Sequence, residues 1–335
     1  GSFHIKNEFD KKYRNLLEWS NAMNDPHNSN TFLTNNEKLV WLGEGLGGGT
    51  LHFGMQYIDQ KELYDDIPKV QLYLDKVNEI TKTEGFDYTK NNNKLWKELH
   101  DKFKNDPNIN FYNNKIYSDN IESLHRFVAS DLLEGINIDI KTNANVKEII
   151  FENNTAKEII LENNKVIRFN KLILSAGAIS NVEILHKSKN ENLSKLPIGE
   201  TIFDHAGVNF YYQPNETFPN YIDIGHLQVR SKDLKTQIYF SKVPNVNLLI
   251  VTLAQAKKES NSGNFDYNKN EFIINHFTDL DKADSMLELY EYINKKLNEI
   301  GYFNTDPTKL DANILKSKSD SIYHYHGTCP TGKVV

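Results

Sequence analysis

The sequence predicts a two-part α/β (α+β) protein in which one part is built on an antiparallel sheet. Three observations support this fold class. Residues 136–176 are a series of short β-rich pieces ending in a strand, a glycine turn and a helix, "KLILSAGAISNVEILHKS". Residues 206–275 alternate in polarity, as antiparallel strands do. Residues 281–300 predict an amphipathic helix that ends at a glycine; its inward residues are Met286, Leu289, Ile293 and Leu297, with Gly301 as the C-cap.

The remaining elements follow from local patterns along the first 135 residues. A loose apolar stripe predicts a helix over 8–23, and "EKLVWL" at 37–42 predicts a strand. Helical spacing recurs at about 68–82 and 92–104. A further helix is predicted from 119 to 133 and closes at a glycine; its apolar face is Ile121, Leu124, Val128 and Leu132, with Gly135 next.

Composition narrows the possible functions. The 335 residues suffice for a large core, and the net charge of -6 provides no basic surface for nucleic acid. Cys329 is the only cysteine, so no intramolecular disulfide is possible. The run "LLIVTLA" at 248–254 is too short to cross a bilayer and predicts a buried strand. The first ten residues show no signal-peptide pattern, and we expect no membrane partner.

The glycine-rich segment "GEGLGG" at 43–48 formally matches the dinucleotide-binding pattern G-x-G-x-x-G. That pattern requires a helix directly after the glycines, whose N-terminus holds the pyrophosphate. Here "TLHFGMQYI" follows, and Glu44 would place a carboxylate beside the phosphates. Two alternatives remain: a turn without a ligand, or a backbone that lies against a flat ring, for which glycine is suited.

The longer segment "GLGGGTLHFGMQYID" resembles the flavin-contacting loop of the glucose–methanol–choline (GMC) oxidoreductases. The resemblance implies that Gly48, Gly49 and Thr50 contact the flavin ring. His52 matches the position at which some members carry a histidine bonded covalently to the flavin, although a polar loop histidine is the simpler interpretation. Phe53 stands where the family usually has Asn.

Three further segments resemble the family in the same order. "IDIKTNANVKEIIFE" is similar to the strand pair in which Val146 would lie against the adenine, and "KLILSAGAISNVEIL" resembles the family signature that would place Ala176 at the cofactor. "LPIGETIFDHAGV" then resembles the segment that closes this part of the flavin domain, matching Asp204 and His205. The signature departs from the family at "NV", residues 181–182, where Ser-Pro is usual.

The final segment, "HYHGTCPTGKVV", is similar to the family pattern H-x-x-G-T-x-x-M-G. The resemblance implies that His324 is the catalytic base and that His326, Gly327 and Thr328 border the cofactor. An imidazole is largely unprotonated at neutral pH, which suits it to accept a hydroxyl proton. Residues 324 and 326 would share a face of an extended chain, so a metal pair is the alternative; without a nearby partner cluster we predict no metal site.

The resemblance implies a partial GMC-type FAD-binding domain (1–60, 136–205 and 318–335) interleaved with a substrate-binding domain on an antiparallel sheet (61–135 and 206–317). The ADP-binding βαβ unit and the second catalytic residue of the family have no counterpart in the sequence. We therefore expect an FAD-dependent oxidoreductase of CH–OH groups, acting on a small-molecule alcohol or sugar, present as a truncated chain with weak FAD binding. The alternative is an inactive remnant with a structural or virion-surface role, since truncated relatives occur in large DNA viruses. The expected location is the cytoplasm or a virion.

Overall fold

The structure is a computed structural model that describes most of the chain from residue 29 onward. The described parts are 29–33, 39–43, 45–51, 56–58, 69–81, 83–85, 94–111, 114–120, 125–126, 128–215, 227–233, 236–242, 247–256, 263–266, 273–275, 283–306, 308–322, 324–330 and 333–334. The helix predicted over 8–23 lies outside these residues.

Helices and antiparallel sheets together make up the described fold. The α-helices are α1 (Val70–Thr81), α2 (Lys94–Phe103), α3 (Ala178–Lys187), α4 (Ala283–Asn298) and α5 (Ala312–Lys318). Short 3-10 turns cover Gly48–Leu51, Ala129–Leu133 and Leu193–Lys195.

The strands fall into one large sheet and several small ones. In chain order they are β1 (Ser29–Leu33), β2 (Leu39–Gly43), β3 (Gln56–Ile58), β4 (Thr83–Gly85), β5 (Ile109–Phe111), β6 (Asn114–Asn120), β7 (His125–Arg126), β8 (Val146–Glu152), β9 (Thr155–Leu161), β10 (Val166–Arg168), β11 (His205–Pro214), β12 (Leu227–Ser231), β13 (Thr236–Lys242), β14 (Leu249–Ala256), β15 (Asn264–Asp266), β16 (Ile273–Asn275), β17 (Tyr302–Asn304) and β18 (Asp320–Ser321).

The large sheet has seven strands in the order β17-β11-β14-β13-β12-β5, and β18 pairs with the start of β11. The smaller sheets are β1-β2, β10-β9-β8, β15-β16 and β3-β6-β4, with β7 paired to β6. Every strand pair in the described part is antiparallel. The antiparallel sheet predicted for 206–275 is therefore confirmed.

One face of the large sheet carries the main hydrophobic core. Burial along β11 alternates, as the two-residue period of a strand requires: Ala206, Val208, Phe210 and Tyr212 are buried. Helices α2 and α4 cover this face, and each large apolar side chain removed from water there contributes about 1.5–3 kcal/mol. Their main contributions are Trp96, Leu99, Phe103, Met286, Ile293 and Leu297.

A second, smaller cluster lies beside the chain's candidate site. Its buried residues are Ile179 of α3 and Ile202, which precedes β11. Leu42 of β2, Phe265 and Tyr325 pack against them. The segment before the glycine-rich loop and the segment containing His324 are thus anchored on the same apolar side chains.

Several local predictions are confirmed. The strand at 37–42 corresponds to β2, the helices at 68–82 and 92–104 to α1 and α2, the run at 248–254 to β14, and the helix at 281–300 to α4. The Asn-Asn pairs form turns with positive φ, at 46° and 64° for Asn153 and Asn154 and 62° for Asn164. Gly301 follows α4 with φ of 89°.

The helix predicted from 119 to 133 is wrong. Residues up to Asn120 belong to β6, residues 125–126 form β7, and a five-residue 3-10 turn starts at Ala129. Pairing of β6 with β7, in which Asn120 lies opposite His125, replaces the helical backbone in the first part of this segment. Gly135, with φ of 76°, follows the 3-10 turn instead of a helix.

The strands predicted for "INIDIKT" and "KLILS" are also not formed. Residues 136–141 and 171–175 have no strand assignment, and no ladder partner lies beside them in the described part. Their apolar side chains are exposed: Ile138 is 54% accessible and Ile173 is 88% accessible. A strand requires a neighbouring strand for its backbone hydrogen bonds, so apolar alternation alone does not produce one.

Candidate functional site

A buried carboxylate organises the candidate site. Asp204, 3% exposed, precedes β11, and its Oδ1 accepts the backbone N–H of His205 at 2.7 Å and that of His324 at 2.9 Å. Its Oδ2 accepts the hydroxyl of Ser321, and the Tyr325 hydroxyl in turn lies 3.0 Å from the same Ser321 oxygen. Asp204 therefore fixes the main chain of the histidine that the sequence predicts as the base.

The imidazole rings of His205 and His324 contact each other near this carboxylate. His205 and His324 pack edge to face, with ring centroids 5.4 Å apart and an interplanar angle of 89°. The His205 Nδ1 is buried and has no hydrogen-bond partner. A buried ring nitrogen without a partner marks a position where a ligand can supply one. The pair places two nitrogen bases within one small volume.

Electrostatics keeps both rings unprotonated at neutral pH. Burial, followed by the neighbouring His324, lowers the pKa of His205 to about 4, and the Asp204 carboxylate opposes this only in part. Burial likewise lowers the pKa of His324 below its ordinary value, against the same carboxylate. Desolvation disfavours the charged imidazolium in both cases. A neutral imidazole can accept a proton, so the geometry provides general bases.

The second histidine of the motif, His326, pairs with Phe203 in an isolated antiparallel bridge. Phe203 and His326 exchange backbone hydrogen bonds of 2.9 and 3.0 Å, and their rings lie 5.5 Å apart. The His326 Nδ1 donates to the His324 carbonyl oxygen at 2.9 Å. His326 therefore supports the main chain of His324 and stacks on Phe203, a positioning arrangement.

Position 327 requires a glycine because the Phe203 ring lies too close to leave room for a side chain. Its φ is 78°, and a Cβ on this residue would lie 2.1 Å from the Phe203 ring. Thr328 then donates its hydroxyl to the Ala178 carbonyl oxygen at the start of α3, at 2.7 Å. These contacts join the segment that contains His324 to the glycine turn before α3.

The "NV" departure from the family signature has a structural explanation. Asn181 Oδ1 accepts the Ala176 N–H at 2.7 Å, so this side chain closes the turn that begins α3. Gly177 in that turn has φ of 90°. Val182 is fully buried, and a Cβ at Gly199 would lie 2.7 Å from it. Asn181 thus contributes a side-chain hydrogen bond to this turn, and Val182 contributes a packing contact.

The glycine-rich loop forms a turn and not the start of an α-helix. β2 ends at Gly43, and a four-residue 3-10 turn, Gly48–Leu51, follows. Thr50 donates its hydroxyl to the Gly47 carbonyl oxygen at 2.6 Å and accepts the Ala129 N–H at 2.9 Å. Because a dinucleotide fingerprint needs a helix at this point, the geometry disfavours the dinucleotide-binding interpretation of "GEGLGG".

The structure places most of the predicted site residues in two groups. His324, His326, Gly327 and Thr328 lie in the segment described above, and Thr328 connects it to the turn that contains Ala176. Gly48, Gly49 and Thr50 lie in the glycine-rich loop, and Val146 is the first residue of β8, at the ladder position opposite Leu161. His52 and Phe53 lie outside the described residues.

Sequence reasoning missed three residues that the fold brings to the site. Ser321 bonds to Asp204, Tyr325 bonds to Ser321, and Phe203 stacks on His326. Asp204 and His205 were noted as family matches without a role. Since Asp204 and Ser321 are 117 residues apart, no local pattern could have paired them. Within the described residues, no three His, Cys, Asp or Glu side chains are grouped as metal ligands.

In comparisons with known proteins, no family model and no curated protein sequence matches this chain. None of the helices in the described ranges is long and apolar enough to cross a membrane.

The histidine pair predicts a pH dependence of stability. The pKa of His205 in the folded chain, about 4, is below its ordinary value of 6.5. The unfolded chain therefore takes up this proton first as the pH falls, so the free energy of unfolding should decrease from pH 6.5 to about 4. The decrease should be about 2 kcal/mol, allowing for partial exposure of the ring. Urea unfolding of wild type and His205→Gln at several pH values measures it.

The matched control for this measurement is His100→Gln, since His100 lies outside the cluster beside Asp101. His205→Gln should flatten the pH profile and His100→Gln should leave it close to wild type. Parallel profiles for wild type and His205→Gln would contradict the lowered pKa of His205 in the folded chain.

Proposed function

We propose that this chain carries the catalytic-base side of a GMC-type, FAD-dependent oxidoreductase that acts on CH–OH groups of a small alcohol or sugar. The observation that supports the proposal most is the cluster in which Asp204 holds the main chain of His324. That histidine is the one that the resemblance implies as the base. Its depressed pKa leaves it unprotonated at neutral pH, as a general base requires.

The residues present fit the ring half of a flavin. Gly48, with φ of 52°, and Gly49 have no described atom within 4 Å of an added Cβ, so the loop backbone is open on that side. Gly177 is equally open at the turn before α3. Glycine backbone of this kind lets a flat ring system lie against peptide groups. Gly48, Gly49 and Thr50 would hold the ring, with Thr328 and Ala176 on the α3 side.

The described residues fit the ADP half of FAD less well than its ring half. All described strand pairs are antiparallel, and a dinucleotide cradle is built on parallel strands with a helix N-terminus at the phosphates. The two extended segments at 136–141 and 171–175 have no strand neighbours among the described residues. This supports the expectation that the chain binds the ring more securely than the diphosphate.

In the proposed reaction His324 accepts the proton of the substrate hydroxyl. Asp204 fixes the position of this histidine through the backbone, and His326 adds a second support through the His324 carbonyl. His205 keeps water from one face of the His324 ring and offers its free Nδ1 to the substrate oxygen. FAD, when bound, supplies the acceptor for the hydride that the carbinol carbon loses as the alcohol becomes a carbonyl.

A second candidate is a structural role for a catalytically inactive chain. Exposed apolar side chains on extended segments support it, because such edges pair readily with another chain. Ile136 is 58% accessible, Ile138 54% and Ile173 88%. Light scattering distinguishes the two candidates: a structural protein should form a concentration-dependent assembly, and Ile138→Lys should weaken it.

Flavin titration tests the proposal directly. We expect the 335-residue chain to bind FAD, FMN and riboflavin weakly and with similar affinities, since the described residues offer open backbone to the ring and no preformed donors to the phosphates. Quenching of flavin fluorescence measures each affinity. Gly48→Ala should weaken all three, because Ala strains a positive φ and fills the open side of the loop.

Gly135→Ala is the matched control, since Gly135 also has a positive φ, 76°, and open space, but lies in the turn after Ala129–Leu133. It should leave flavin binding unchanged. FAD that copurifies stoichiometrically would show that the diphosphate is held as well, and flavin that survives acid precipitation would indicate a bond to His52. Equal loss of binding in both glycine variants would remove the loop from the site.

A further inference from the structure

Arg230 is a buried cation that no described residue neutralises. It lies on β12, is 8% exposed, and its Nε is buried without a hydrogen-bond partner. No carboxylate of the described residues forms an ion pair with it. A buried charge without a partner is costly, and proteins keep one where a ligand supplies the opposite charge.

The register of the large sheet places Arg230 on the same face as the histidine cluster. Arg230 pairs with Gln237, Gln237 with Ala254, and Ala254 with Gly207. Directly opposed residues of antiparallel strands point to the same side, and residues two apart on one strand do also. His205, two residues before Gly207, therefore shares this face, opposite the main hydrophobic core.

The residues between the arginine and the histidines are small or polar. Gln237 and Ala254 separate the two ends, and Ile322 packs over Gly207, where an added Cβ would lie 2.6 Å from it. Three strand spacings, about 14 Å between backbones, lie between Arg230 and Gly207. The charge of Arg230 is near enough to His205 to contribute to the lowered pKa of that ring.

The chemistry of the arginine defines the ligand. A guanidinium presents a planar fork of donors that matches a carboxylate or a phosphate, and it remains charged at any physiological pH. The Asp204 carboxylate of the cluster is already engaged by two backbone N–H groups and the Ser321 hydroxyl. Because no described carboxylate pairs with Arg230, an anionic ligand is a partner that matches the geometry of its guanidinium.

We propose that the substrate is a small alcohol that carries an anionic group, a carboxylate or a phosphate, which Arg230 binds while the hydroxyl lies at His205 and His324. This inference rests on the proposed function for the role of His324. The binding of the anionic group by Arg230 can be tested without any turnover.

The test is calorimetric titration of the full chain at constant ionic strength with two pairs of probes. Lactate is compared with propane-1,2-diol, and glycerol 3-phosphate with glycerol, so that each pair differs in its anionic group. We expect the anionic member to bind more tightly in one or both pairs, and the pair that responds distinguishes carboxylate from phosphate. Arg230→Gln should weaken that binding about 10- to 100-fold, the usual worth of a charged hydrogen bond.

Two variants separate ligand binding from a structural role. Arg168→Gln is the matched control, since Arg168 is exposed and already paired with Glu158, and it should change nothing. Arg230→Lys should restore part of the affinity, because the charge remains while the fork is lost. Without ligand, Arg230→Gln should unfold at the same or a higher temperature than wild type, because an unpaired buried charge is removed.

Equal binding of anionic and neutral probes, or no binding of any probe, would overturn the proposal. So would an Arg230→Gln chain that melts several degrees lower while binding the anion normally, which would show a structural arginine. Failure of flavin binding alone would count against the proposed function and leave this anion site standing.

Discussion

His324→Ala should lower the rate of alcohol oxidation about 10²- to 10⁴-fold, the usual contribution of a positioned general base. The measurement is made at saturating flavin and substrate, on a form of the protein that oxidises alcohols. The imidazole of His324 is unprotonated because burial lowers its pKa, so at neutral pH its removal takes away the proton acceptor. Flavin affinity should remain, since the base contacts the substrate.

His326→Ala is the internal comparison. Its ring bonds to the His324 carbonyl and stacks on Phe203, so its loss should loosen the base without removing it, with a smaller decrease in rate. Equal decreases in rate for the two variants would contradict the assignment of the proton transfer to His324 alone. For the 335-residue chain alone we expect no oxidation of simple alcohols above background; alcohol-dependent peroxide that disappears in His324→Ala would show that this chain is itself an enzyme.

Asp204→Ala should produce the largest loss of stability among substitutions in the site, about 3–5 kcal/mol. The substitution leaves two backbone N–H groups and the Ser321 hydroxyl without their acceptor in a buried place, and each such donor costs about 1–3 kcal/mol. The midpoint of urea unfolding measures the change. The same substitution should reduce turnover, because the main chain of His324 loses its anchor.

Asp320→Ala is the matched control for this prediction. Asp320 is a nearby exposed aspartate whose carboxylate accepts the Ser321 N–H at 2.8 Å. Its substitution should lower the free energy of unfolding by much less than Asp204→Ala does. Asp204→Asn keeps one oxygen acceptor and should fall between the two. If Asp204→Ala unfolds at the same urea concentration as Asp320→Ala, Asp204 does not organise the cluster in solution.

Turn chemistry and strong periodicity could be predicted from local sequence. The Asn153-Asn154 turn, the α4 stripe of Met286, Ile293 and Leu297, and the alternating β11 all follow from single-residue preferences that the fold does not override. The helix predicted at 119–133 failed where β6 and β7 pair with each other, with Asn120 opposite His125. The apolar alternation around Ile138 failed for the opposite reason, because no described strand lies beside it.

By itself, the sequence determined the mixed α/β class and the antiparallel sheet of 206–275, because strand period is a local property. The candidacy of His324 as the base is what the family resemblance implies. Only the tertiary structure decided what surrounds that histidine. Asp204 and Ser321, 117 residues apart, meet because β18 pairs with the start of β11. Arg230 shares a face with His205 because the register across four strands places it there. Burial and charge at a site depend on such long-range pairings, and a linear pattern contains neither.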